Sequence, residues 1–289
     1  MSIDEPFRAV YRVINGQEID ADIYLPKVGR DVREAICPIL INIHGGAFML
    51  GSSDMVNRDQ INDCLGRQWI VVVPNHRLCP QVNILEGPME DCRDLLLWIH
   101  RGELQKLLLR DVNCSHVVDL DHVFAFGTSS GGTLALSLGF GVPRPVTAIF
   151  DMYGPSTFSN PFWTTKIPTL LSQLPSHLTD DFINRVFDEK IVPIKGGVSL
   201  EGQQPNGPDF ADPRQAYALM QIANGTLMEA IFPQGDWSRI DPAENISAHF
   251  PPTFIAHGID DEMVPISLTR LDIWSQNNFD IKVVIGWTA

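Results

Sequence analysis

Residues 127–131 read Gly127-Thr128-Ser129-Ser130-Gly131, directly after the apolar run Val123-Phe124-Ala125-Phe126 and directly before Gly132-Thr133-Leu134-Ala135-Leu136. A G-x-S-x-G pentapeptide set between a strand-like and a helix-like segment narrows the possible folds more than any other feature of the chain. The turn forces Ser129 into a strained backbone conformation, and Gly at 127 and 131 avoids collision between strand and helix. A helix starting there aims its free N–H groups and positive dipole end at the same spot. The Ser129 hydroxyl is therefore a candidate nucleophile. The competing reading is a Gly/Ser-rich turn without chemistry.

A second motif lies upstream. Ile39-Leu40-Ile41-Asn42-Ile43 is a short apolar run that ends in His44-Gly45-Gly46-Ala47-Phe48. A Gly pair after a buried strand lets the backbone bend until its N–H groups converge on one atom, which is what an oxyanion hole requires. A tight Gly turn that merely ends a strand is the plainer alternative.

At 289 residues the chain exceeds the usual single-domain size, although α/β architectures reach this length as one domain. A hydrophobic content of 44% and a charged content of 19% describe a globular protein with a sizeable core. The formal charge of −14 argues against nucleic-acid binding, which needs a basic face. The opening residues Met1-Ser2-Ile3-Asp4-Glu5-Pro6 carry early acids and no apolar core, so no secretory signal is expected. No apolar stretch approaches the roughly 18–20 residues of a membrane span. Cys37, Cys64, Cys79, Cys92 and Cys114 are odd in number and lack C-x-x-C spacing, which favours free thiols over disulfides or zinc. Asn113, Asn224 and Asn245 open N-x-S/T sequons, read as accidental without a secretory route. A cytoplasmic location is the expectation.

The organisation is that of an α/β chain. Val10–Ile14 and Ile19–Tyr24 flank Asn15-Gly16, the strongest short hairpin signal. Near-continuous Val/Ile/Leu/Phe runs predict parallel strands at 36–43, 69–74, 121–126, 145–151, 253–257 and 281–285, covered on both faces. Amphipathic segments predict helices at 54–66, 88–110, 130–140 and 265–278. The alternation implies right-handed crossovers and a mostly parallel, doubly wound sheet with an N-terminal hairpin. Residues 155–245 break the rhythm: they are rich in Pro and Gly, with helical patches at 179–189 and 213–223. They read as a cap inserted between a first core part (1–154) and a second (246–289), or as an irregular structural insertion.

Four segments carry a resemblance: His44-Gly45-Gly46-Ala47-Phe48, Asn75-His76-Arg77-Leu78-Cys79-Pro80, Gly127-Thr128-Ser129-Ser130-Gly131-Gly132 and His257-Gly258-Ile259-Asp260-Asp261-Glu262-Met263-Val264-Pro265. In this order and spacing the chain resembles the α/β-hydrolase superfamily, and within it the hormone-sensitive-lipase-like (fold-3) esterases. Arg77-Leu78-Cys79-Pro80 and Phe250-Pro251-Pro252-Thr253 look most like fungal members, some of which act in secondary-metabolite pathways. The resemblance implies Ser129 as nucleophile, the amides of Gly45, Gly46 and Ser130 as oxyanion hole, and Asp261, through its D-x-x-V-P setting, as the acid. A carboxylate at a strand's C-terminal edge is suited to orienting an imidazole, while a capping role is its bland alternative. Two departures are mild: Ala47 stands where the family usually has a third Gly, and Thr128 where Asp is frequent.

The third departure concerns the base. The resemblance puts the triad His in the loop after the eighth strand, here Ile281-Lys282-Val283-Val284-Ile285, yet no histidine follows Asp261. Loss of a triad His removes about 10⁴–10⁶ in rate. Of the eight histidines, His257 stands beside Asp261, but strand-loop packing is expected to hold its ring. The general base is thus unassigned. An incomplete copy of a longer sequence, a binding relative without hydrolysis, or a base from the cap or a partner subunit are the three explanations. The first is expected, because ending on a sheet strand leaves apolar surface bare at about 25 cal/mol per Å² and invites self-association. The expected activity is cleavage of a small or medium apolar ester or thioester through an acyl-enzyme on Ser129, with no metal or organic cofactor. A ligand-binding hydrolase relative is the alternative.

Overall fold

Asn15 and Gly16 both take positive φ, 49° and 79°, the geometry that closes a tight hairpin. They join β1 (Phe7–Ile14) to β2 (Gln17–Tyr24), as the Asn-Gly signal predicts. The computed structural model describes residues 5–27, 35–112, 116–197, 208–233, 235–269 and 281–285. Beyond the hairpin come β3 (Ala35–Ile43), β4 (Ile70–Pro74), β5 (His116–Thr128), β6 (Ala148–Met152), β7 (Thr253–His257) and β8 (Ile281–Ile285). They form one eight-stranded sheet in the order β1-β2-β4-β3-β5-β6-β7-β8. β2 runs antiparallel to both its neighbours, and all pairings from β4 through β8 are parallel.

The order reverses once. From β3 the chain steps outward to β4 through α1 (Arg58–Gly66), then returns across β3 to β5 through α2 (Glu90–His100) and α3 (Glu103–Leu107). Right-handed crossovers in opposite directions place their helices on opposite faces, the doubly wound arrangement. The side chains of β4 record this: Val71 and Val73 pack with Ile61 of α1, while Ile70 and Val72 belong to the larger cluster that includes Leu95, Leu96 and Ile99 of α2. The reversal lies at β3 and β5, so the loops after these two strands flank a natural ligand crevice.

Two expected helices come out differently. The segment 88–110 is broken at Gly102, whose φ of 74° ends α2 and restarts the chain as α3. Of the helix expected over 265–278, Ile266–Leu268 forms a single tight turn and 270–280 lie outside the described residues. The Pro/Gly loop at 203–207 and Cys114 also lie outside them.

α4 (Ser130–Leu136) follows β5. Between β6 and β7 the chain builds α5 (Pro168–Gln173), α6 (Asp180–Ile183), α7 (Pro213–Asn224) and α8 (Leu227–Ile231). Phe158, Trp163, Ala216, Leu227 and Ile240 from this stretch join the same core as the sheet. A buried ion cluster fixes the loop after β4. Asp91 accepts from the Arg77 amide at 2.8 Å and from the Arg77 and Arg12 guanidinium groups. No described helix is long and apolar enough to cross a membrane.

Candidate active site

Ser129 stands between β5 and α4 with φ 51° and ψ −128°, a region that side-chain-bearing residues occupy only when the surroundings over-determine them, at roughly 1–3 kcal/mol. The surroundings are tight. A Cβ on Gly127 would stand 2.1 Å from the Gly131 carbonyl oxygen, and one on Gly131 would stand 2.2 Å from that of Ile43. The Ser129 amide donates to Met152 O at 2.9 Å, and its carbonyl accepts from Gly132 N at 2.8 Å. Ser129 is half-buried, and among the described residues its hydroxyl has no hydrogen-bond partner.

Beneath the elbow lies a group the sequence reading passed over. Asp151 of β6 pairs in register with Gly127 and is fully buried. A Cβ on Gly132 would stand 2.0 Å from its Oδ1, so the second Gly of the pair makes room for this carboxyl. Oδ1 accepts from Gly154 N at 2.8 Å while Oδ2 has no partner. Burial pushes the Asp151 carboxyl well above the usual range, only partly offset by the Gly154 amide. The available signal was an Asp inside the apolar strand Ala148–Met152.

Sheet register delivers the second motif to the same place. Ile43 pairs with Gly127, so Gly45 and Gly46 emerge beside Ser129. Gly46, Ala47 and Phe48 all take positive φ, 121°, 53° and 63°. The Gly46 carbonyl accepts from Met49 N at 3.0 Å and Leu50 N at 2.9 Å, winding the turn. Among the described residues, the amides of Gly45, Gly46 and Ser130 donate to nothing. Inside the turn, His44 Nδ1–H donates to Gly45 O at 2.8 Å, and the ring stacks on His76 with centroids 4.5 Å apart. Burial lowers His44 to about 3, helped by the neighbouring His76, and burial lowers His76 to about 4. Both rings are neutral, and both Nε2 atoms are buried without a partner.

Asp261, expected as the acid, lies elsewhere along the sheet edge. β6 separates β5 from β7, so their backbones stand about 10 Å apart. Asp261, in the loop after β7, accepts through Oδ1 from Met263 N at 2.9 Å and Val264 N at 2.8 Å. His257 is 3.9 Å from Asp261 Oδ2, but its ring is engaged elsewhere. Nε2–H donates to Val264 O at 2.6 Å, which leaves Nδ1 to accept from the Thr269 hydroxyl at 2.7 Å. Burial lowers its pKa, against the Val264 carbonyl and Asp261, so the ring is neutral with both nitrogens occupied. All eight histidines fall within the described residues, and none hydrogen-bonds the Ser129 hydroxyl.

Sequence reading also passed over Arg214, a nearly buried cation on α7 that reaches the turn at Met49. An Arg next to the apolar run Ala216-Tyr217-Ala218-Leu219 was its only signal. Among the described residues, no group of three or more His, Cys, Asp or Glu side chains is placed to hold a metal ion. A cavity of about 520 Å³ exists on the α1 side, lined by Leu40, Trp69, Phe124, Phe126 and Phe150, but none of Ser129, Gly45, Gly46 or Asp261 contributes to its wall.

Comparison with known proteins places this geometry. The non-reducing polyketide synthase trt4 of Aspergillus terreus is 31% identical over 293 residues, covering 89% of this chain and 12% of that protein. Methylphloroacetophenone synthase of Cladonia uncialis is 30% identical and covers 90% of this chain and 11% of its own length. The chain thus spans about one-eighth of the length of these fungal relatives. Among solved structures, a propionate-bound thermophilic esterase of Thermogutta terrifontis superposes with a TM-score of 0.63 at 16% identity, covering 100% of this chain and 85% of that one. A protein of unknown function from Staphylococcus aureus reaches 0.66 at 18% identity, covering 98% and 89%. The BD-FAE family model matches residues 21–166, just over half of the sequence. By that match the chain belongs to the BD-FAE family, and its fold is that of the α/β-hydrolase esterases.

Proposed function

We propose that this chain is an acyl hydrolase in which Ser129 attacks a small or medium apolar carboxylic ester or thioester. One observation carries the reading: a serine held at φ 51° and ψ −128° stands beside the unpaired amides of Gly45, Gly46 and Ser130. Such donors, fixed before charge develops, stabilise a tetrahedral oxyanion at no reorganisation cost. In the first step the Ser129 Oγ–C bond forms, the C–O or C–S bond breaks, and the hydroxyl proton ends on the departing alcohol or thiol. In the second, water attacks the Ser129 acyl ester, releasing the acid and returning the proton to Oγ. This chemistry requires neither metal nor organic cofactor. The names of the relatives favour a polyketide-type acyl group and a role in secondary metabolism. Residues 155–245 serve as a cap on the core formed by 1–154 and 246–289.

The proton is the weak link. With no imidazole on the hydroxyl, attack loses most of the roughly 10⁴–10⁶ that a triad base provides. Asp261 acts as the triad acid only toward an imidazole that reaches the Ser129 hydroxyl. That observation supports a second reading, a relative that binds acyl ligands in the same place without turning them over. A fluorophosphonate probe separates the two. Covalent modification located on Ser129 by peptide mass spectrometry, and absent from Ser129→Ala, is the expected result. An unmodified Ser129 in protein that still binds a fluorescent acyl thioester analogue would favour the binding protein, and modification at another residue would remove Ser129 from the mechanism.

A further inference from the structure

The turn from Gly45 to Gly51 is an improbable piece of backbone. Three successive residues have positive φ, two of them with side chains, and each such conformation persists only where neighbours enforce it. From inside, enforcement comes from His44: a Cβ on Gly51 would stand 2.4 Å from its Nδ1. From outside it comes from the 155–245 segment. Gly51 and Gly196 exchange both backbone hydrogen bonds, at 2.6 and 3.1 Å. The main fastening, however, is a single side chain.

Arg214 is 3% exposed, and a buried guanidinium is strongly unfavourable unless every donor is matched. Its five N–H groups meet five acceptors. Nη1 donates to Met49 O at 3.0 Å and to Cys79 O at 2.6 Å. Nη2 donates to Gln81 Oε1 at 2.5 Å and to Glu189, and Nε donates to Glu189 Oε1 at 3.4 Å. Met49 belongs to the Gly45–Gly51 turn, and Cys79 to the loop after β4, whose amide in turn donates to Phe48 O at 2.9 Å. α7 itself is anchored by Asp212, which caps the Arg214 amide at 2.9 Å. The planar fork spreads five donors over three nitrogens and so meets all five acceptors; a lysine, with three donors on one atom, leaves at least two of them unmet.

We infer that Arg214 is a positioning residue for the oxyanion turn: it locks the Met49 peptide, and through it holds the Gly45 and Gly46 amides convergent beside Ser129. Around Gly196 and Arg214 the 155–245 segment is therefore a fixed buttress along this edge rather than a lid that swings clear of it. The catalytic half of this statement rests on the reading of Ser129 and the Gly45/Gly46 amides given above; the structural half does not.

Two measurements on the full chain decide it, using Arg214→Met and Arg214→Lys with Arg144→Met as an exposed control. Amide hydrogen exchange of residues 45–51 is expected to accelerate about 10-fold or more in both Arg214 variants while core strands keep their protection. Fluorophosphonate modification of Ser129 is expected to slow about 10- to 100-fold at saturating probe, with half-saturation moving less than about 3-fold, because only transition-state donors are misplaced. Unchanged exchange over 45–51 overturns the proposal whatever the probe does. A wild-type protein that is not modified overturns the reading of Ser129 alone and leaves exchange to judge the tether. Slowing that appears only in half-saturation makes Arg214 a binding residue and removes its positioning role. If Arg214→Met does not fold, Glu189→Gln, which keeps the fork and weakens its anchor, is expected to give a smaller acceleration over the same residues; none would refute the tether.

Discussion

The two flanks of the site are built on different principles. On the Ser129 side, unfavourable backbone angles are enforced by close packing: a Cβ on Gly127 or Gly131 would stand 2.1 or 2.2 Å from a backbone oxygen, and one on Gly132 2.0 Å from the Asp151 carboxyl. On the Asp261 side the packing is looser: a Cβ on Gly258 would meet only the Asp261 Cβ, at 3.9 Å. The carboxylate accepts from two amides of its own turn, and the only imidazole nearby is tied to Thr269 and Val264. The contrast is one of packing: the backbone at Ser129 is fixed by close contacts, whereas the Asp261 carboxylate is held by two hydrogen bonds of its own turn.

The sharpest way to break the contrast is Gly131→Ala. The new methyl would meet the Ile43 and His44 carbonyl oxygens at 2.2 and 2.5 Å, and relief requires moving the very loop that carries Gly45 and Gly46. We expect destabilisation of about 1–3 kcal/mol in urea unfolding and a loss of about 100-fold in Ser129 modification by fluorophosphonate. Gly66→Ala provides the control, since the position opens onto free space and has ordinary φ; both readouts should stay near wild type. Full-rate modification of the Gly131 variant would mean that the elbow is not over-determined as described.

The second expectation concerns acid. His44, at the start of the turn that carries Gly45 and Gly46, and His76, stacked on it from the loop after β4, are buried neutral at about 3 and about 4, against 6.5 for an ordinary imidazole. Between pH 6.5 and these values the unfolded chain takes up protons that the folded chain refuses, so their contribution to stability is intact above 6.5 and lost as pH falls. Asp151 acts with the opposite sign, because its raised pKa favours the folded state as pH falls and disfavours it as pH rises through that value. Chemical denaturation between pH 7.5 and 4.5 should therefore show stability falling toward acid. His44→Gln with His76→Asn should flatten that slope, and Asp151→Asn should steepen it slightly. A slope indifferent to the two histidines would contradict their burial as neutral rings.

What the sequence disclosed follows from the range of each interaction. The Asn15-Gly16 hairpin and the strand over 253–257 depend on local pattern and were legible, and the approach of the His44-Gly45-Gly46 segment to the Gly127–Gly131 turn is what the family resemblance implied. The break at Gly102 was not, because a glycine inside an amphipathic run is tolerated as often as it terminates. Asp151 and Arg214 were illegible for a different reason. Each is a charged residue in an apolar element, and its partners, Gly132 and Gly154 for one and Met49, Cys79 and Glu189 for the other, come from distant segments. Only in the folded chain do these partners come within reach: Asp151 lies against Gly132 and Gly154, and Arg214 bonds to Met49, Cys79 and Glu189. The strand at 281–285 was read correctly from four β-branched residues around Lys282, since no partner was needed to recognise it.

The smallest effect is expected on the other flank, where it is also the most informative. Asp261 makes two hydrogen bonds to partly exposed amides of its own turn, so Asp261→Ala should reduce stability by about 1 kcal/mol or less. If the carboxylate already oriented a base, its loss would reduce Ser129 modification about 10⁴-fold; with His257 occupied elsewhere, the change should stay within about 3-fold. Added imidazole separates the roles. A small base that reaches the Ser129 hydroxyl from solvent should accelerate modification of the wild type in proportion to its neutral form, and so more at pH 8 than at pH 6. If Asp261 is placed to hold such a ring by its second nitrogen, part of that acceleration disappears in Asp261→Ala although the uncatalysed rate does not change. Equal acceleration in both proteins would make Asp261 a turn-capping residue, leaving the Ser129 flank as the only half of the site that this chain builds.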